Sequence, residues 1–115
     1  MTDPAADIAR AVAKRLSDEY GPNLALDVEA ELHRGRLAQY VDPVAIASLI
    51  VSVAALAWTV YTDLKRSAAK VQTDVFARSL RVTLRDEGGS LTPTHERVVD
   101  VAVRETFDHE AQREG

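Results

Sequence analysis

PVAIASLIVSVAALAWTVYT, residues 43–62, runs for twenty positions without a single charged side chain. Asp42 stands before it, and Asp63, Lys65 and Arg66 follow directly. The rest of the chain is charge-dense, because 28% of all residues are Asp, Glu, Lys or Arg. Much of the apolar weight therefore sits in one segment, and its surroundings decide what the protein can be. Nothing inside the run breaks a helix, and Asp42-Pro43 supplies a cap followed by a pre-set first helical position. The expectation is a central apolar helix over residues 43–66. The pattern permits continuation through Leu64, Ala68, Val71 and Val75, to about residue 76.

Two similar start signals frame the chain. Asp3-Pro4 opens an amphipathic helix with Ile8, Ala11, Val12, Leu16 and Tyr20 toward one side, and Gly21-Pro22-Asn23 stops it. Thr92-Pro93 opens a last helix that turns Val98, Val99, Ala102, Val103 and Phe107 inward. Asp108 and Glu110, in its final turns, are expected to be solvated charges.

Two stretches alternate instead. In residues 24–32, Leu24, Leu26, Val28, Ala30 and Leu32 oppose Asp27, Glu29 and Glu31, the period of a strand. A helix would align Leu24, Val28 and Leu32 but leave Leu26 on the wrong side, although the Leu/Ala/Glu composition favours it. In residues 79–85, Leu80, Val82 and Leu84 oppose Arg81, Thr83 and Arg85 ahead of Gly88-Gly89. A helix there lines up Arg78, Arg81 and Arg85 as a basic stripe. Periodicity takes precedence over composition in both, giving two short strands, with His33 to Val41 as a connector through Gly35. The expected fold class is mainly α with short β segments (α+β). One long central apolar helix is flanked by two short strands and two amphipathic helices, all in a single small domain, 1–115.

Composition bounds the chemistry. The formal net charge of −4 gives no basis for nucleic-acid binding. With no cysteine, disulfide and thiolate chemistry are excluded. Residues 1–19 hold Asp3 and Asp7 and no apolar core of a secretory signal, so delivery to the cytosol is expected. His33, His95 and His109 match no tight ligand spacing, so neither a metal nor another cofactor is expected. No nucleophile stands in a recognisable elbow or triad, no catalytic residue is assigned, and the chain reads as a non-enzyme.

The apolar run has two readings. Twenty uncharged residues reach the length that crosses roughly 30 Å of hydrocarbon. Tyr40, Trp58 and Tyr61 lie near the ends, where interfacial aromatics belong, and Ser48 and Ser52 have small-xxx-small spacing. Lys65, Arg66, Lys70, Arg78 and Arg81 follow the run against Arg34 and Arg36 before it, which puts the C-terminal half in the cytoplasm. Association with the inner, cytoplasmic membrane is the expectation on that reading. Against it, Ala, Ser and Thr make the run only marginally hydrophobic, and forty-two residues with eight acids and five bases would have to be translocated. The other reading is a cytoplasmic protein whose central helix is apolar because it is covered all round. Opposed charge on the two strands, Asp27, Glu29 and Glu31 against Arg81 and Arg85, would pair them within one chain or between subunits.

Either way Ile46, Leu49, Ile50, Val53, Leu56, Trp58, Val60 and Tyr61 form the expected membrane or partner interface. Lys65, Arg66 and Lys70 are placed to meet lipid headgroups or an acidic partner. The expected function is that of a non-enzymatic accessory or scaffold protein, which anchors or self-associates through the central helix and presents its flanks to another protein. The alternatives are a soluble homo-oligomer with the helix buried in the assembly, and a small partner subunit of a larger effector or toxin.

Overall fold

A computed structural model of the chain describes residues 3–34, 46–68, 70–88 and 91–114. Five helices follow in order: α1 (Pro4–Tyr20), α2 (Leu24–Arg34), α3 (Ile46–Ser67), α4 (Thr73–Gly88) and α5 (Pro93–Glu114). Among the described residues there is no β-strand, so the expected α+β class is replaced by an all-helical bundle. The helix start at Asp42-Pro43, the connector through Gly35 and the aromatic Tyr40 lie outside the described residues.

Local chemistry fixes the ends that the sequence marks. Asp3 is extended, and its side-chain oxygen accepts from the Ala5 amide at 3.0 Å, satisfying one of the donors a helix start leaves open. Gly21 ends α1 at φ +105°, a conformation that strains any residue with a Cβ, while its amide donates to the Ser17 carbonyl at 2.9 Å. At α5, the Thr92 hydroxyl accepts from the His95 amide at 3.2 Å, and the His95 ring nitrogen Nδ1 accepts in return from the Thr92 amide. This is the reciprocal logic of a capping box with histidine in the role of glutamate.

Both expected strands are helices. In α2, Leu24 and Val28 are buried four residues apart and Leu32 is half-buried, whereas Leu26 faces solvent. In α4, Phe76, Leu80 and Leu84 recur at four-residue spacing in the core, and Val82 faces solvent. One outward-facing apolar residue in each helix had mimicked a period of two. His33 belongs to α2, where its ring contacts the Glu29 carbonyl one turn back, and not to a connector. The central helix also ends sooner than its pattern allows: α3 closes at Ser67 and α4 begins at Thr73, so the continuation to about residue 76 is two helices and a corner.

α3 is the axis of the bundle, packed by α1, α2, α4 and α5 alike. Its inward stripe is Ala47, Ile50, Val53, Ala54, Ala57 and Tyr61, the three- and four-residue spacing of a helix face. Small residues also line the buried face of α1 (Ala6, Ala9, Ala13), beside Ile8, Val12 and Leu16. With methyl groups on both sides, α1 and α3 can approach closely. Larger side chains close the other end, where Tyr61, Phe76 and Phe107 meet edge-on with centroids 5.6 Å apart in each pair. The radius of gyration, 13.4 Å, matches the value of about 13 Å for a compact domain of this length.

Replacing Phe76 or Ile50 by alanine should lower the unfolding free energy by about 3–5 and 2–5 kcal/mol respectively. Each is a large fraction of the 5–15 kcal/mol typical of a domain. Val75→Ala, on the outer face of the same helix as Phe76, should shift it by no more than about 0.5 kcal/mol. Urea titration followed by far-UV circular dichroism measures all three, and equal effects at positions 75 and 76 would contradict this packing.

Candidate interaction surfaces

Residues expected at an interface with lipid or partner are engaged inside the bundle. Ile50, Val53 and Tyr61 are buried, and Ile46, Leu49, Leu56, Trp58 and Val60 are half-buried against the core. Trp58 stacks on Tyr61 at 6.0 Å and meets the edge of His109 on α5 at 5.8 Å, so the aromatic pair at the end of the run ties α3 to its neighbours. Coverage is not complete, however. Ser52, Ala55, Thr59 and Asp63 form an exposed stripe along α3, which corrects the expectation of a helix covered all round. The exposed part of the apolar helix is its small and polar part.

The basic cluster after the run divides. Lys65 Nζ donates to Glu110 Oε1 at 3.1 Å and sits 5.8 Å from the centroid of the Tyr61 ring, so it holds α3 to α5. Glu110 is buried, not solvated as its place near the chain end suggests. Asp108 is exposed and lies 3.7 Å from Arg15. Arg66 and Lys70 are exposed, and among the described residues neither has an ion-pair partner.

Ion pairs cross every side of α5. Arg15 on α1 donates to the buried Glu105, and Arg97 donates to Glu19 at the end of α1 at 2.6 and 3.0 Å. Arg81 on α4 donates to Glu96 at 2.7 Å and Asp100 at 2.9 Å. On the far side of the bundle Arg10 donates to Glu29, joining α1 to α2 at 2.5 Å. Hydrogen bonds from Arg97 hold the Glu19 carboxyl below the ordinary carboxylate range, and those from Arg10 do the same to Glu29. Arg81 is thus withdrawn from the basic stripe that a helical reading of residues 78–85 draws, while Arg78 and Arg85 remain exposed and, among the described residues, unpaired.

What remains on the outside is two mixed faces. On α4, Val75, Arg78, Val82 and Arg85 share one exposed side, with Asp74 and Asp86 at its margins. On α2, Leu26, Asp27, Ala30 and His33 are exposed, and Tyr20 at the end of α1 is exposed as well. Leu26 is the residue that a helical reading of the sequence leaves on the wrong side, and Val82 is its counterpart on α4; neither was assigned to an interface from sequence. His33 stands on α2 and His95 and His109 stand more than three turns apart on α5, and among the described residues no group of three His, Asp or Glu side chains is arranged to hold a metal. No family model matches the chain, and neither does any curated protein or solved structure.

Acid should loosen the exposed arginine–glutamate contacts. Glu19 and Glu29 bind protons less readily folded than unfolded, so each stabilises the fold above the unfolded glutamate pKa of about 4.3. That contribution is lost as pH falls through the lowered folded value. Arg97→Gln and Arg10→Gln variants should therefore lose less of their urea midpoint than the parent between about pH 6 and pH 3. Parallel pH profiles for parent and variants would exclude these pairs as a source of acid sensitivity.

Proposed function

We propose that this protein is a non-enzymatic interaction module, a helical bundle in water that keeps its apolar helix as its own core and works through the outer faces of α2 and α4. The observation that carries the proposal is the engagement of α3 by all four other helices, with Ser52, Ala55, Thr59 and Asp63 as its exposed stripe. A bilayer would require the reverse, apolar side chains outward and polar ones inward. Drawing α3 into lipid would also strip the cover from Val12, Leu16, Phe76, Leu80 and Val99, all buried here. Each large apolar side chain returned to water costs roughly 1.5–3 kcal/mol.

Membrane anchoring is the second reading, and one observation favours it. Ile46–Ser67 is long and apolar enough to cross a bilayer, with a mean hydropathy of 1.5 over its best window, of which 39% is buried. A core helix passes the same test of length and composition, so that window is weak support. The two readings differ sharply at Ala55, which is exposed at the middle of the run. In the bundle, Ala55→Lys places a charge in water and should change stability by no more than about 0.5 kcal/mol. In a span, it places a charge near the bilayer centre at a cost of about 2.5–3.5 kcal/mol.

The native chain and Ala55→Lys should both be recovered after cell lysis in the carbonate-soluble fraction, and both should purify folded without detergent. Retention of the native chain in the carbonate-washed membrane pellet, with loss of that retention in Ala55→Lys, would overturn the proposal in favour of anchoring.

A further inference from the structure

Two of the three histidine rings are held in a way that fixes which nitrogen carries the proton. A backbone carbonyl only accepts a hydrogen bond, and a backbone amide only donates one. His33 Nδ1 lies 2.7 Å from the Glu29 carbonyl oxygen, so there the nitrogen must donate. His95 Nδ1 lies 3.2 Å from the Thr92 amide nitrogen, so there it must accept. The Thr92 hydroxyl, 2.6 Å from the same ring atom, donates to it as well, while its oxygen accepts from the His95 amide. His109 meets Trp58 edge-on and makes no side-chain hydrogen bond among the described residues.

These contacts respond differently to a proton. An imidazolium has hydrogen on both nitrogens and no lone pair to offer. His33 keeps its bond in either form, and a charged ring at His109 is attracted to the indole beside it. At His95 an acceptor is lost. Its contact with the hydroxyl can reverse, Nδ1 donating to the Thr92 oxygen, but the Thr92 amide has no such option and is left to water. No carboxylate lies within ion-pair distance of the His95 ring among the described residues, so no new ion pair offsets the loss. The start of a helix also disfavours positive charge.

The same turn carries the contacts that hold the start of α5 to its neighbours. Glu96 accepts from Arg81 of α4 at 2.7 Å, and Arg97 donates to Glu19 of α1 at 2.6 Å, with Tyr20 next to Glu19 in sequence. Asp100, one turn on, accepts from Arg81 at 2.9 Å. Arg85, Asp86 and Glu87 stand in the last turn of α4, which leads into this corner. α3, the third helix packed on α5, has no charged residue between positions 46 and 62. The acids that α1 and α5 bring to this turn, Glu19, Glu96 and Asp100, are all engaged by arginine.

We propose that Thr92 and His95 form a pH-sensitive clasp at the start of α5, closed while the ring is neutral and opened by a proton on Nδ1. Closed, it holds the first turn with Glu96 and Arg97 directed to α4 and α1. Opened, it lets that turn fray and loosens the corner between α4 and α5. The rest of the bundle stays folded, because Val98 and Val99 just beyond are fully buried. The working range is the one in which histidine ionises, around pH 6.5. Stability rises with pH across that range, since the contact exists only for the neutral ring. The carboxylates of Glu19 and Glu29 act in a separate window, below the unfolded glutamate value of about 4.3.

Nitrogen chemical shifts of the rings in the native chain test the geometry first. In mildly alkaline solution His95 should carry its proton on Nε2, and His33 on Nδ1. As the ring titrates, the Thr92 amide resonance should move with it. Exchange of the His95, Glu96 and Arg97 amides, corrected for the intrinsic effect of pH, should then speed up by about two- to tenfold, the range of a lost helix-capping bond. His95→Gln keeps an acceptor at the third helical position and cannot titrate. Its corrected exchange should stay constant, and its urea midpoint should fall less than that of the native chain from about pH 8 to about pH 5.5. A proton on His95 Nδ1 in alkaline solution overturns the clasp. So does a Thr92 amide that ignores the titration, or a native chain and His95→Gln that soften equally across the range.

Discussion

Ile50, Val53, Ala54 and Ala57 have no contact with water, and four separate helices are needed to achieve that. A helix apolar over so much of its circumference cannot be covered by one neighbour, because a single partner shields only the arc it touches. The topology follows from this demand. α1 and α2 form a hairpin on one side of α3, α4 and α5 close the other, and α1 meets α5. Small side chains dominate the seam with α1, where close approach substitutes for bulk, and aromatic rings fill the end where α4 and α5 stand. In a chain with only 5% aromatic residues, three rings, Tyr61, Phe76 and Phe107, meet one another at this end.

The opposite solution operates around α5. Its inward positions include Glu105, Thr106 and Glu110 as well as valines, so paired charge is set into its apolar seam. Thr106 returns its hydroxyl proton to the Ala102 carbonyl one turn back, at 2.7 Å, and needs no partner from another helix. Arg15 and Lys65 answer the two buried glutamates from α1 and α3. Pairs of this kind contribute little net stability, but removing one member leaves a charge stranded. Their effect is to fix which turn of α5 faces which helix, and the bundle's register is written partly in arginine and glutamate.

Helix ends were legible in the sequence because capping chemistry is local. Asp3-Pro4, Gly21 and Thr92-Pro93 act through atoms within four residues of themselves, and all three lie where they were read. Ile8, Val12 and Leu16 of α1 and Val98, Val99 and Val103 of α5 were legible from a period of 3.6 maintained over several turns, whereas Tyr20, read onto the same side of α1, is exposed, and no single inward face of α3 was read. The two strands were misread because residues 24–32 and 79–85 are short enough for one outward apolar residue to decide the period. Glu105 and Glu110 were not legible as buried groups at all. Their partners, Arg15 and Lys65, lie 90 and 45 residues away, a distance over which sequence carries no pairing signal without the fold.

Leu26 and Val82 are where pattern and packing disagree, and the disagreement has a physical meaning. A sequence under pressure only to fold would place a polar residue at each position, since a large apolar side chain in water gains nothing from the native state. Isolated exposed hydrophobics are ordinary. Here Val75 and Val82 share the outer face of α4 with Arg78 and Arg85 and with Asp74 and Asp86, while Leu26 stands on α2 beside Asp27. Arg81 sets the inner side of α4 apart from this outer one, because the same helix that leaves Arg78 and Arg85 without an ion pair among the described residues turns Arg81 to two acids of α5. Charge on α4 is satisfied on the side where the bundle needs it and left open on the side where it does not. That asymmetry is what an outer helix requires if its second face is reserved for something outside the bundle.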